Sequence, residues 1–169
     1  MLDLAKIEAG VMPLHIIQAD INLYLRLIVE LFKSAAINKK IQLDYESLNK
    51  PFFMDFDPDK ILHVMSNLIS NALKYSNPNG TIEIQLKHTQ HQIQCVIIDN
   101  GIGIPPADLE KVFQPFFRTK ALNHPDIKGI GVGLSIVQRL CSLLKIDINI
   151  SSQEHLGTKI VLIFDAIPK

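Results

Sequence analysis

The stretch DPDKILHVMSNLISNALKYSNPNG (57–80) decides how the rest of this chain is read. It opens on Asp57-Pro58, a side chain that can accept from free helix amides followed by a residue that loses nothing at the first helical position. It closes on Asn77-Pro78-Asn79-Gly80, a turn. Between these marks the sequence predicts one helix, from 58 to 75. At about 100° per residue, Ile61, Leu62, Met65, Leu68, Ile69, Ala72 and Leu73 share one side. His63, Asn67, Asn71 and Lys74 share the other. A polar helix face ordinarily meets solvent, but asparagine is a mediocre helix former, and two of them four apart in mid-helix are unexpected there.

The neighbouring segments alternate between helix and strand patterns. Upstream, Asp20 is positioned to cap a helix running to about Asn38, with Ile21, Leu25, Ile28 and Phe32 as its apolar stripe. IQLDY (41–45) and FFMDF (52–56) read as strands. Downstream come two adjacent strands, TIEIQLKH (81–88) and QIQCVIID (92–99), then a short helix at 107–113. Residues 118–131, RTKALNHPDIKGIG, carry no period and read as a long mobile loop. A helix from about Val132 to Lys145 and strands at 146–151 and 158–164 complete the pattern. Residues 1–9 read as a helix stopped by Gly10 and too short to stand alone, hence as the tail of a longer one. The mixture predicts an α+β sandwich with helices on one sheet face.

Composition narrows the function classes. A chain of 169 residues is one domain with at most a short appendage, and 47% hydrophobic with 20% charged residues is globular, not disordered. Seventeen basic and seventeen acidic residues cancel, so neither nucleic acid nor an acidic membrane surface is expected as a partner. Cys95 and Cys141 sit in apolar runs and read as buried thiols of a reducing compartment. No apolar run approaches the ~18 residues of a membrane span, and MLDLAKIEAG has no signal-peptide pattern.

Two glycine clusters carry potential chemistry. Asp99-Asn100-Gly101-Ile102-Gly103 ends an apolar strand with an acid, a natural acceptor for a ligand amine. Gly129-Ile130-Gly131-Val132-Gly133-Leu134 opens a helix, whose free amides attract phosphate. It is neither a Walker loop nor the dinucleotide fingerprint. Each cluster taken alone also fits an ordinary turn.

Taken together and in order, these segments resemble the catalytic ATP-binding domain of sensor histidine kinases, in the superfamily shared with gyrase, the ninety-kilodalton heat-shock chaperones and the mismatch-repair ATPases. NLISNALKYS (67–76) resembles the N box, DNGIGI (99–104) the first glycine box and FQPFF (113–117) the F box. GIGVGLSIV (129–137) resembles the second glycine box, and Gly157-Thr158 the last. The resemblance covers about residues 14–165. It implies a Bergerat-type two-layer α/β sandwich, with a mixed sheet of about five strands under about three helices, in a domain spanning 14–169. LDLAKIEAG would be the end of the dimerisation and phosphotransfer helix, residues 1–10.

The resemblance also implies ligands and roles. ATP and Mg²⁺ are the implied cofactors. Asp99 would bind the adenine amine, with Gly101, Gly103 and Ile104 letting the base lie against the backbone. Asn67 would hold Mg²⁺, while Asn71, Lys74 and Tyr75 flank phosphates and ribose. Gly129, Gly131 and Gly133 would supply lid flexibility, Leu134 the phosphate amides, and Thr158 a reach to the adenine. Lys120 and Lys128 are candidate phosphate contacts in the lid. Phe113, Phe116 and Phe117 are expected to anchor the lid by packing.

In gyrase-like members the first N-box position is a glutamate that activates water. Asn67 stands there, and an amide is no general base. The resemblance therefore implies a protein histidine kinase domain that presents the γ-phosphate to a histidine of its own phosphotransfer domain, for relay to the receiver domain of a response regulator. None of the six histidines is followed by the acid that accompanies the family's acceptor. The chain is thus expected to be a fragment without its acceptor, inactive alone, monomeric, not itself inserted in a membrane, and the cytoplasmic part of a membrane-bound bacterial sensor. The alternatives are a superfamily ATPase, an anti-sigma-type serine kinase, or a degenerate docking module.

Overall fold

The computed structural model describes residues 13–89, 92–118 and 131–165. The elements run β1 (Ile17–Asp20), α1 (Ile21–Asn38), β2 (Gln42–Glu46), β3 (Phe53–Phe56), α2 (Pro58–Tyr75), β4 (Thr81–His88), β5 (Gln92–Asp99), α3 (Gly133–Leu144), β6 (Asp147–Gln153) and β7 (Gly157–Asp165). Five strands form one sheet in the order β2-β4-β5-β7-β6. β2 lies parallel to β4, and the other neighbours are antiparallel, so the sheet is mixed. The three helices of the described residues pack on one face of it, giving the two-layer sandwich expected from the sequence.

One strand was not legible. β1 pairs with β3 as a separate two-stranded ribbon, Ile17 opposite Phe56 and Asp20 opposite Phe53. Four residues with no strict alternation carry too little pattern to announce a strand; its long-range partner stabilises it. The helix expected at 107–113 is also different. A single 3₁₀ turn, Pro106–Asp108, is followed by turns bonded three residues back: Lys111 to Asp108, Gln114 to Lys111 and Phe117 to Gln114. A stretch of seven residues makes too few i→i−4 bonds to repay helix nucleation by itself, so it settles into single turns. The expected 1–9 helix lies outside the described residues.

The helix α2 begins and ends where its punctuation says. Asp57 accepts from the Lys60 amide at 3.0 Å, and Ser76 closes the last turn through Ala72. Its buried side comprises Ile61, Val64, Met65, Leu68, Ile69, Ala72 and Leu73, with Leu62 at the margin. These residues meet Ile82, Ile84, Ile93, Cys95, Ile97, Ile160 and Leu162 of the sheet in one continuous core. Both cysteines are buried and free, and burial pushes their thiols up to about 12.

Asp57 is more than a cap. It is fully buried, and its second oxygen accepts from the His15 amide at 2.8 Å with the Lys60 ammonium 3.6 Å away. Burial alone would raise its pKa, but the His15 and Lys60 amides and the Lys60 charge outweigh it and hold the carboxyl below its usual value. A depressed carboxylate stabilises the fold above its unfolded pKa, and that contribution disappears as pH falls through the folded value. Asp57→Ala is therefore expected to cost about 3 kcal/mol at pH 7, since it strands two amides and a buried lysine. The gap to wild type should shrink below about pH 4. Urea unfolding of both proteins at pH 7 and pH 3 checks this; an equal gap at both would exclude the carboxylate as its cause.

Candidate functional site

The strand pleat decides which side chains reach the helix layer. On β5, Ile93, Cys95 and Ile97 point into the core, so Asp99, two residues on, ends the same face. Register sets Asp99 opposite Thr158 on β7, and Thr158 opposite Ser152 on β6. A polar row, Asp99, Thr158 and Ser152, thus crosses three strands at the end of an otherwise apolar face. Asp99 and Thr158 open into a cavity of about 300 Å³ between the sheet, α2 and the start of α3.

The cavity floor is apolar: Ile97, Ile150 and Ile160 from the sheet, Leu68 and Ala72 from α2. Asn71, Lys74 and Tyr75 enter from the polar side of α2, and Lys74 Nζ donates to the Tyr75 hydroxyl at 3.0 Å. Gly131, Val132, Gly133 and Leu134 form the wall where α3 begins. No side chain caps that helix, so its first amides keep their capacity for an anion.

Asp99 is held rigidly. Its Oδ1 accepts from the Gly101 amide at 3.0 Å and the Thr158 amide at 3.3 Å. Burial raises its pKa, and these two amides offset part of that rise. Oδ2 takes no protein hydrogen bond among the described residues and remains an acceptor for a ligand donor.

Not every expected residue lines the cavity. Asn71, Lys74, Tyr75, Asp99, Gly103, Ile104, Gly131, Gly133, Leu134 and Thr158 do. Gly101 does not: it is buried, and a methyl group there would strike the Tyr75 carbonyl. Gly103 has φ +69° and leaves no room for a methyl group beside the Gln153 backbone. These two glycines serve the protein's own backbone crossings. Asn67 stands just outside the lining; its Nδ2 donates to the His63 carbonyl at 2.9 Å, which turns Oδ1 outward. A methyl group on Gly133 would sit 3.0 Å from that oxygen, so the glycine keeps a small cradle open beside it. Gly129, Lys120 and Lys128 lie outside the described residues.

Phe117 lines the cavity, Phe113 is half-buried, and Phe116 is largely exposed with φ +65°. Val112 and Arg118 also line the cavity and were not singled out from the sequence. Nothing local marks them, because they arrive on irregular turns. Ile150 and Ile160 were findable in principle, since they share a face with Ser152 and Thr158 by strand alternation.

Residues 56–168 match the family model described as histidine kinase-, DNA gyrase B-, and HSP90-like ATPase. The chain belongs to this ATPase family. Within it, the sensor kinase WalK of Bacillus subtilis is 37% identical over 114 residues, 66% of this chain and 19% of that protein. The histidine-protein kinase BarA of Escherichia coli is 32% identical over 164 residues, 94% of this chain and 18% of that protein. The chain thus spans between about a fifth and a third of the length of the curated relatives it matches. Among solved structures, the catalytic domain of the histidine kinase ThkA superposes with TM-score 0.78 at 25% identity, over 92% of this chain and all of that one. The Acinetobacter baumannii kinase AdeS shares the fold, with TM-score 0.76 at 22% identity over 97% of this chain and 74% of that one. The chain is a histidine-kinase-type ATP-binding catalytic domain, and the cavity bounded by α2, β5, β6, β7 and the start of α3 is its candidate site.

Proposed function

We propose that the whole protein is a two-component sensor histidine kinase, in which this domain binds Mg²⁺-ATP and presents the γ-phosphate to a histidine of its own dimerisation and phosphotransfer domain. Residues 14–169 are then the catalytic domain and 1–10 the end of that phosphotransfer helix. The phosphoryl group passes on to a response-regulator aspartate on the cytoplasmic side of the cell. No helix among the described residues is long and apolar enough to cross a membrane.

The observation that carries this reading is Asp99: a carboxylate fixed by two backbone amides at the rim of an apolar cavity that α2 and the start of α3 line with amide, ammonium and free N–H groups. Oδ2 accepts from the adenine amine while Ile97, Ile150 and Ile160 cover the base. Lys74 and the amides at the start of α3 bind phosphate oxygens.

The outward Oδ1 of Asn67, a hard oxygen beside the opening that Gly133 preserves, would hold Mg²⁺. The ion supplies neutralisation of charge building on the transferred phosphoryl group. Asn67 itself activates no water, since a carboxamide takes no proton at neutral pH. The γ-phosphate therefore waits for an outside nucleophile. A histidine Nε2 attacks phosphorus, a P–N bond forms as the P–O bond to ADP breaks, and ADP leaves.

The test is incubation of the chain with γ-labelled ATP and a separately supplied phosphotransfer domain carrying the acceptor histidine. Acid-labile label on that histidine is expected to form at least roughly tenfold faster than free phosphate is released. Free phosphate as the main product would favour an ATPase instead.

A further inference from the structure

Ser152 lies outside the cavity lining, yet it ties the cavity's polar row together. Its hydroxyl accepts from the Ile104 amide at 2.8 Å, donates to the Gly157 carbonyl at 2.7 Å and meets the Thr158 hydroxyl at 3.0 Å. The distances alone leave open which hydroxyl donates in the last contact. Proton arithmetic settles it. A serine hydroxyl has one proton and two lone pairs. The Ile104 N–H takes one lone pair. The Gly157 carbonyl has no proton to give, so it takes the only one Ser152 has. What remains on Ser152 is a single lone pair, and Thr158 must donate to it.

Thr158 consequently has its proton turned toward Ser152 and its lone pairs turned toward the cavity. Beside it stands Oδ2 of Asp99, also an acceptor. The wall formed by the two is acceptor-only. An exocyclic amine set against this pair finds two acceptors, whereas an exocyclic oxo group set there meets only lone pairs.

We propose that Ser152 is a specificity-determining positioning residue: by taking the Thr158 proton it makes the cavity select 6-amino over 6-oxo purine nucleotides. This rests on the reading of Asp99 as the base-binding group. Ser152 touches no ligand itself and acts through Thr158 and the Ile104 turn.

The test compares dissociation constants of Mg²⁺-ATP and Mg²⁺-ITP, which differ only around purine position 6, for wild type, Ser152→Ala, Ser152→Thr, Thr158→Val and the Ser152→Ala/Thr158→Val double variant. In Ser152→Ala the Thr158 proton is released to serve an oxo group, so the ATP-over-ITP preference should fall by roughly tenfold. Ser152→Thr, which keeps the hydroxyl, should restore the preference to within about threefold of wild type. Adding Ser152→Ala to Thr158→Val should leave the ratio where Thr158→Val alone puts it. A purely structural role for Ser152 would weaken both nucleotides by one factor and leave the ratio unchanged, which overturns the inference. Should Ser152→Ala not fold, Thr158→Val decides by itself: an unaltered ratio there also overturns it. Wild type binding neither nucleotide would remove the Asp99 reading and this inference together. Wild type preferring ATP while Ser152→Ala keeps that preference would remove the inference alone.

Discussion

Asp99→Asn is expected to weaken Mg²⁺-AMPPNP binding by roughly a hundredfold, about 2.7 kcal/mol, while leaving the fold as stable as wild type or more so. The substitution preserves shape. The amide oxygen can still accept from Gly101 and Thr158, whose N–H groups approach Oδ1 at 3.0 and 3.3 Å. What changes is the atom facing the cavity, from an acceptor to an NH₂ donor, which then opposes the donor amine of adenine. Stability moves the other way. Burial raises the Asp99 pKa above its ordinary value, so the ionised group costs the folded state free energy above that raised pKa. That cost is relieved as pH falls through the raised value, and a neutral asparagine relieves it at every pH. Titration calorimetry at pH 7 together with urea unfolding at pH 7 and pH 4 checks both halves. Binding within threefold of wild type would sink the adenine role of Asp99, and a large loss of stability would make any binding defect uninformative.

Gly157→Ala carries the largest expected stability effect, a loss of about 3 kcal/mol or more. Gly157 has φ +115°, a region that side-chain-bearing residues rarely occupy. A methyl group there would also overlap the Asp99 carbonyl oxygen and sit 2.8 Å from the Asn100 Cα, backbone atoms that cannot swing aside. The strain can be relieved only by parting β5 from β7 at the Asp99–Thr158 register pair. That pair is also the cavity's polar edge, so nucleotide binding should fall with stability. Urea unfolding of the variant gives the answer: a loss under about 1 kcal/mol would mean the turn relaxes without moving β5.

Asp57-Pro58, Asp20 and Asn77-Pro78-Asn79-Gly80 act within a few residues of themselves, and the helices they bound came out as the local chemistry implies. The Asn67, Asn71 and Lys74 face was visible from helical period alone, but only the fold divides it, Asn71 and Lys74 into the cavity and Asn67 to its edge. The family resemblance implies room for a base at Gly101 and Gly103. There, and at Gly157, the space beside the Cα is taken by the protein's own backbone, from Tyr75, Gln153 and Asp99 respectively. Those contacts span tens of residues and leave no local trace.

What the amino-acid order determined by itself is therefore the three long helices, the longer strands and the family motifs, because capping, turn chemistry and hydrophobic period are short-range. Tertiary structure alone decided the strand order β2-β4-β5-β7-β6, the β1–β3 ribbon and the row Asp99–Thr158–Ser152. Pairing register is a long-range quantity, set by which faces are buried together. It is register that brings three residues from positions 99, 152 and 158 into one hydrogen-bonded line.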